Sequence, residues 1–210
     1  MHILAKLFSS EALVKIMRLF LMNRTVGFEN KDVSRHSRVK PAATKREVLL
    51  LQSIGFIKKG TFVKNIMVRK VAKKRKVVGW FLNPEFPYLT ALFDLLITSK
   101  SIDKKDLVSR IKKTGKVKML VLAGAFLKDE ASRLDILAVG DGISQKKFEN
   151  VVRSLESEIG KELRYSAFTI NEFKYRISMY DKLVCDVFDF KHEIVISTPE
   201  LSTEGLKNRK

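Results

Sequence analysis

Cysteine is almost missing from this 210-residue sequence: Cys185 stands alone, which excludes an internal disulfide and a thiolate metal cluster. Its setting, Leu183-Val184-Cys185, reads as a buried small side chain. Three histidines, His2, His36 and His192, are too scattered to announce zinc, so no metal and no cofactor are expected. Long hydrophobic runs are also lacking. No stretch approaches the roughly 20 apolar residues that cross a bilayer, and Lys6, Glu11, Lys15 and Arg18 interrupt the apolar N-terminal stretch Met1 to Asn23. That stretch reads as an amphipathic helix rather than a leader. A cytoplasmic location without membrane association follows as the expectation.

Acidic residues are scarce too, with 23 Asp and Glu against 41 Lys and Arg, a net of +18. The imbalance is uneven. Residues 1 to 100 hold 20 Lys and Arg against 6 Asp and Glu, a net of +14, and residues 101 to 210 hold 21 against 17, a net of +4. The first half has the footprint of a polyanion binder. A ribosomal contact or an acidic membrane surface would favour the same sign, so where the charge sits matters more than its sum. A 45% hydrophobic content is ample for packed cores, in one large domain or two small ones.

Phe8, Ala12, Leu13, Ile16, Met17, Phe20 and Leu21 recur at helical spacing, and Ser9 or Ser10 can cap a first helix from about Ser10 to Met22. A short polar helix is predicted over Glu29 to Ser37, then a turn through Arg38 and Lys40. Pro41 suits the first position of a third helix running to about Ile54, with Thr44, Val48, Leu51 and Ile54 as its inward stripe. Gly55 is placed to end it. Two strand-like runs follow, Phe62 to Val71 and Lys76 to Leu82, joined by a basic tip Ala72-Lys73-Lys74-Arg75. Trp80 reads as core, and His36 as a surface or satisfied side chain.

Three helices followed by a basic hairpin is the order of a winged helix-turn-helix. Glu47 to Ile57 (EVLLLQSIGFI) and Val78 to Pro84 (VGWFLNP) resemble the end of the recognition helix and the wing's return strand in bacterial winged-helix regulators of the ArsR and MarR type. The resemblance implies double-stranded DNA as partner. Arg38, Lys40, Lys45 and Arg46 are then the candidate contacts of the reading helix. Lys64, Arg69, Lys70, Lys73, Lys74, Arg75 and Lys76 are candidate phosphate contacts of the hairpin. The competing reading of those seven is a solvated hairpin whose charge protects an edge strand.

Pro87 to Thr98 predicts an apolar helix with more apolar positions than one buried face needs. It could pack on either half or on a second copy, and a homodimer would suit an operator with two half-sites. A shorter helix, Lys104 to Lys113, follows.

Strand Val117 to Leu122, the small-residue turn Gly124-Ala125 and an apolar strand from about Leu134 come next. Residues 116 to 197, through Val121 to Phe126, Ser132 to Asp141 and the phrase Phe168 to Arg176 (FTINEFKYR), resemble the minimal nucleotidyltransferase domain fused behind winged helices in many prokaryotic regulators. The resemblance implies a Gly-Ser phosphate cradle and an Asp-x-Asp metal pair. Here Ala125 stands for the serine and Arg133 for the first aspartate, and only Asp135 remains. A guanidinium at Arg133 competes with a metal and is expected to pair with Asp135. Asp129, Glu130 and Asp141 read as loop and strand-end charge. Gly124, Ala125, Arg133 and Asp135 are left as a candidate site for a nucleotide or phosphate ligand, or as a frame kept for dimerisation.

The fold class expected is therefore α+β: a winged helix-turn-helix over 1–86, a helical connector over 87–115, a mixed-sheet nucleotidyltransferase-like α/β domain over 116–197, and a polar tail over 198–210. The function expected is sequence-specific transcription regulation without catalysis, with the second domain sensing a ligand or oligomerising. Duplex binding is expected of residues 1 to 100 and not of residues 101 to 210. The rival is an active nucleotidyltransferase that modifies RNA or protein, with the winged helix recruiting substrate.

Overall fold

The computed structural model describes residues 3–68, 71–98, 103–127, 129 and 131–201. The chain is mixed α+β and divides into two compact units, Met1–Ser101 with Arg153–Lys161, and Ile102–Val152 with Glu162–Lys210. Among the described residues no helix is long and apolar enough to cross a membrane.

The first unit opens with helices α1 (Ile3–Leu7) and α2 (Glu11–Met22). Ser9 turns left-handed, φ 53°, and Ser10 Oγ accepts the Leu13 N–H at 3.0 Å, so the N-terminal stretch breaks into two helices rather than running as one. Helix α3 (Asn30–Ser37) ends at Arg38, itself left-handed with φ 53°. Helix α4 (Pro41–Ser53) starts on its proline as expected and ends at Ile54 and Gly55, φ 78°. The Phe56 N–H then donates to Leu51 O at 2.9 Å, which closes the last turn and aims the chain into a strand. Thr44, Val48 and Leu51 face inward, but Ile54 is 52% exposed. The turn at Gly55 carries it past the core, and Glu47 is buried in the stripe instead.

Strands β1 (Ile57–Val68) and β2 (Val71–Leu82) form one antiparallel ribbon. Its register pairs Ile57 with Leu82 and Val68 with Val71. Lys73, Lys74 and Arg75 therefore lie within β2, opposite Ile66, Asn65 and Lys64, and not in the tip predicted from charge. Charge density does not direct a chain reversal; long basic side chains keep their heads in water from a strand as readily as from a loop. Phe28, between α2 and α3, exchanges both backbone hydrogen bonds with Trp80, at 3.0 and 2.9 Å.

The predicted apolar connector is a single turn of α-helix, α5 (Leu89–Phe93), running into a π-helical turn, Asp94–Thr98. Leu96 is fully buried, and Leu89, Leu92, Phe93 and Ile97 lean on the same core as Ile16, Phe20, Val33, Val48, Leu51 and Phe56. Most of its apolar surplus is thus absorbed within the first unit. Arg18, 4% exposed, ties this unit together: Nε donates to Leu96 O at 3.0 Å and Nη1 to Glu158 O at 3.1 Å. Burial lowers its pKa, and the Glu158 charge opposes the shift.

The second unit begins with α6 (Lys104–Lys112), followed by β3 (Lys116–Ala123), a 3-10 turn Gly124–Phe126, β4 (Ile136–Asp141) and the first half of α7 (Gln145–Ile159), whose residues from Arg153 onward belong to the first unit. Then come β5 (Tyr165–Phe168), α8 (Ile170–Ser178), α9 (Lys182–Asp189) and β6 (His192–Ile196). The sheet order is β5-β4-β3-β6, with β4 and β5 parallel and the other pairs antiparallel. A parallel pair needs a long crossover, which the α7 segment supplies. Met119, Val121, Leu137, Val139, Phe173, Val184 and Val187 form the core. Leu201, assigned by sequence to a polar tail, closes a 3-10 turn and is 3% exposed in that core. Cys185 is half-buried.

Candidate nucleic-acid interface and the Asp135 site

The cations picked out by sequence fall into two groups in the first unit. Lys45 and Arg46 are exposed on α4, with Lys40 at its N-cap and Arg38 at the end of α3, both exposed. Arg46 reaches back to the buried Glu47, Nη2 to Oε1 2.8 Å, and Ser10 Oγ donates to the same oxygen at 3.0 Å. The outer face of α4 changes character along its length, since Leu49 and Leu50 beyond the cations are 51% and 45% exposed.

On the ribbon, Lys73, Lys74, Arg75 and Lys76 are all exposed, and no carboxylate among the described residues pairs with them. Arg69 and Lys70 lie outside the described residues. Successive strand residues alternate faces, so Lys74 and Lys76 share a face with Lys59, while Lys73 and Arg75 share the other with Lys64. One ligand surface laid on the ribbon therefore meets about half of its cations at a time. The face bearing Lys64 also carries Phe62 and Phe81, edge-to-face at 5.6 Å, with Gly27 against both rings.

Lys64 is not an open cation. Its Nζ donates to Asp32 Oδ2 at 2.5 Å and to Glu29 Oε2 at 3.3 Å, and its side chain is 26% exposed. It pins the ribbon to the start of α3 through those two carboxylates. Burial alone would raise the Asp32 carboxyl, but the hydrogen bond and charge of Lys64, with the Glu29 N–H and Arg35, hold it below the usual carboxylate range. The Glu29 carboxyl is lowered by the hydrogen bond from Lys31 first, burial opposing, and then by Lys64. At the ribbon's base, Trp80 is half-buried and packs against the first unit's core, while Nε1 donates to Asn30 Oδ1 at 2.7 Å, beside a cleft lined by Lys31, Lys59 and Val78.

In the second unit the frame around Asp135 is filled from within. Asp135 is 2% exposed and lies just ahead of β4, not on it. Oδ1 accepts the Ala125 N–H at 2.7 Å and Oδ2 the Arg164 N–H at 2.7 Å. The Arg164 guanidinium adds Nε to Oδ2 at 3.3 Å and Nη2 to Oδ1 at 3.4 Å. Gly124, φ 49°, passes so close that a Cβ there would overlap Asp135 Oδ1. Gly124, Ala125 and Asp135 do come together, but the amide expected to cradle a phosphate is already donated to the chain's own carboxylate.

The expected Arg133–Asp135 ion pair does not form. Arg133 precedes the strand, and its Nε meets Asp186 Oδ2 on α9 at 2.5 Å, the side chain half exposed. The partner of Asp135 is Arg164, to which the sequence pattern assigns no role. The parallel pairing of Ile136 with Tyr165 sets residues 135 and 164 side by side, a juxtaposition that local pattern does not carry. No group of three or more His, Cys, Asp or Glu side chains suited to a metal occurs among the described residues.

The phrase Thr169-x-x-Glu172-Phe173-x-x-Arg176 has a structural reading. Thr169 Oγ1 accepts the Glu172 N–H at 3.2 Å, and Glu172 Oε2 accepts the Thr169 N–H at 2.9 Å, a capping box at the start of α8. The Thr169 N–H first, and then the Thr169 hydroxyl donating to Oε2 at 3.0 Å, lower the Glu172 carboxyl, with burial opposing and Arg176 assisting. Phe173 is buried, while Arg176 stacks over Phe168 at 4.6 Å and pairs with Asp181 at 2.8 Å.

No family model, no curated protein and no solved structure matches this chain.

Proposed function

We propose that the protein is a sequence-specific, DNA-binding transcriptional regulator whose nucleotidyltransferase-like second part works without catalysis. In this reading residues 1–86 act as a winged helix-turn-helix: α4 enters the major groove through Lys45 and Arg46, and the ribbon lies along the phosphates. The observation that carries it is the exposed run Lys73 to Lys76 on β2, four adjacent cations without a carboxylate partner among the described residues. Like charges so crowded repel one another unless an anion neutralises them.

For the second part, the hydrogen bonds on Asp135 support a role in shape. A carboxylate that accepts two backbone N–H groups and a guanidinium has its lone pairs committed, and a metal would have to displace all three. The same bonds leave the Ala125 amide unable to greet a phosphate, which favours oligomerisation, as a homodimer, over ligand sensing.

The test is full-chain binding to duplex DNA over a salt series. Replacing Lys73, Lys74, Arg75 and Lys76 by Gln should lower the slope of log affinity against log salt by about 0.9 for each phosphate no longer neutralised. Lys45→Gln with Arg46→Gln should weaken preferred over random sequence. Absence of saturable, salt-sensitive duplex binding by the wild-type chain refutes the proposal.

A further inference from the structure

The cations of the second unit sort into two kinds. Lys104, Arg110, Lys118, Arg133, Arg164 and Arg176 each have a carboxylate partner, on Glu193, Asp106, Glu200, Asp186, Asp135 and Asp181. Nine lysines are exposed and have none among the described residues: Lys105, Lys174, Lys182 and Lys191, and the five Lys112, Lys113, Lys116, Lys146 and Lys147. The last five fall on two segments that meet. The turn after α6 lies backbone to backbone on the segment between β4 and α7: Ser144 N–H donates to Thr114 O at 2.9 Å, and a Cβ on Gly115 would sit 2.6 Å from Gly142 O. In register, Lys116 pairs with Asp141. One end of the sheet thus gathers residues 112–116 and 141–147, with five lysines against the single carboxylate Asp141, a net of +4.

Local stability does not account for all five. Lys112 and Lys113 sit at the C-terminal end of α6, where a cation is favoured, but Lys146 and Lys147 open α7 with no acidic residue in its first turn, against the helix dipole. We infer that this end of the sheet is a second phosphodiester-backbone contact, through which the second unit itself holds nucleic acid. The inference rests on the DNA-binding reading above and revises the expectation, drawn from charge totals, that residues 101 to 210 take no part. A lipid surface fits less well. Thr114, Gly115, Gly142, Ser144 and Gln145 surround the lysines together with Ile143, which is half-buried, and no exposed large apolar side chain lies among them to insert at a bilayer.

The experiment uses the full chain and a random-sequence duplex of about 20 base pairs, read by fluorescence anisotropy across a salt series. Three variants accompany it: all five lysines to Gln, all five to Arg, and the ribbon variant Lys73, Lys74, Arg75 and Lys76 to Gln. The five-Gln variant is expected to keep the wild-type melting curve and to lower the salt slope by about 2 to 4, at about 0.9 per phosphate no longer neutralised. The five-Arg variant restores the slope. A five-Gln variant with unchanged affinity and slope, alongside a weakened ribbon variant, overturns this inference and leaves the DNA-binding reading standing. No duplex binding by the wild type withdraws both. Five-Gln-sensitive binding to phosphatidylserine vesicles with duplex binding intact also overturns it, and assigns the patch to lipid.

Discussion

Asp135→Asn tests whether the second unit keeps this residue for its fold. The carboxylate presents an acceptor to each of two backbone amides, Ala125 and Arg164, both at 2.7 Å. An asparagine presents one acceptor and one donor. Whichever way the amide turns, one N–H faces an N–H, and the buried donor it strands is worth about 1–3 kcal/mol. The other bond loses its charge assistance, roughly halving its strength. The Arg164 guanidinium, 49% exposed, adds little after screening. The total is about 2–4 kcal/mol. For a unit of roughly 100 residues each kcal/mol moves the midpoint by about 4–8 °C, so its transition should fall by roughly 8–32 °C. Calorimetry follows the melt, and amide exchange at Ala125 and Arg164 should accelerate in step. A variant that melts with the wild type would refute the reasoning, as would a wild-type chain stabilised by manganese in a manner that Asp135→Asn abolishes.

Gly124→Ala forces a Cβ onto Asp135 and a side chain into a left-handed backbone, which alone costs about 1–2 kcal/mol; urea unfolding should show at least that loss. Lys64→Met should raise the pH at which the first unit unfolds in acid. Asp32 and Glu29 have carboxyls lowered in the folded state, so the stability they confer is present above the unfolded pKa of about 4 and lost as pH falls through the lower folded values. Without Lys64 that loss begins earlier, and circular dichroism against pH would read the shift. Incubation with labelled nucleoside triphosphates and magnesium or manganese should show no transfer, and transfer abolished by Asp135→Ala would restore the enzyme reading.

How much of the molecule is legible in its sequence depends on the range of the forces involved. Ser10, Pro41 and Gly55 act within one turn of themselves, and the helices they bound fall where the pattern places them to within a residue or two. The ribbon's strands are visible, but the run of charge in β2 imitates a turn and misplaces their reversal. Lys64 looks like its basic neighbours, and only the packing of β1 against α3 shows its two carboxylates. The Asp135 site is half legible. Its turn and its surviving aspartate follow from spacing, whereas Arg164 and Asp186 arrive from 29 and 51 residues further along the chain, through a parallel strand pairing and a helix that no local period encodes. The Thr169 phrase shows the converse, a family-like signature whose residues serve to start a helix.

The length of the ribbon bears on stoichiometry. Each strand has twelve residues, which at about 3.3 Å per residue extends about 40 Å. One turn of duplex rises about 34–36 Å, the spacing that dimeric regulators bridge with two reading heads. The base of that ribbon, Ile57 with Leu82, is buried in the first unit's core and Lys64 is tied to α3, so its free reach is shorter than one turn, and on the proposed duplex a site of a full turn calls for two chains.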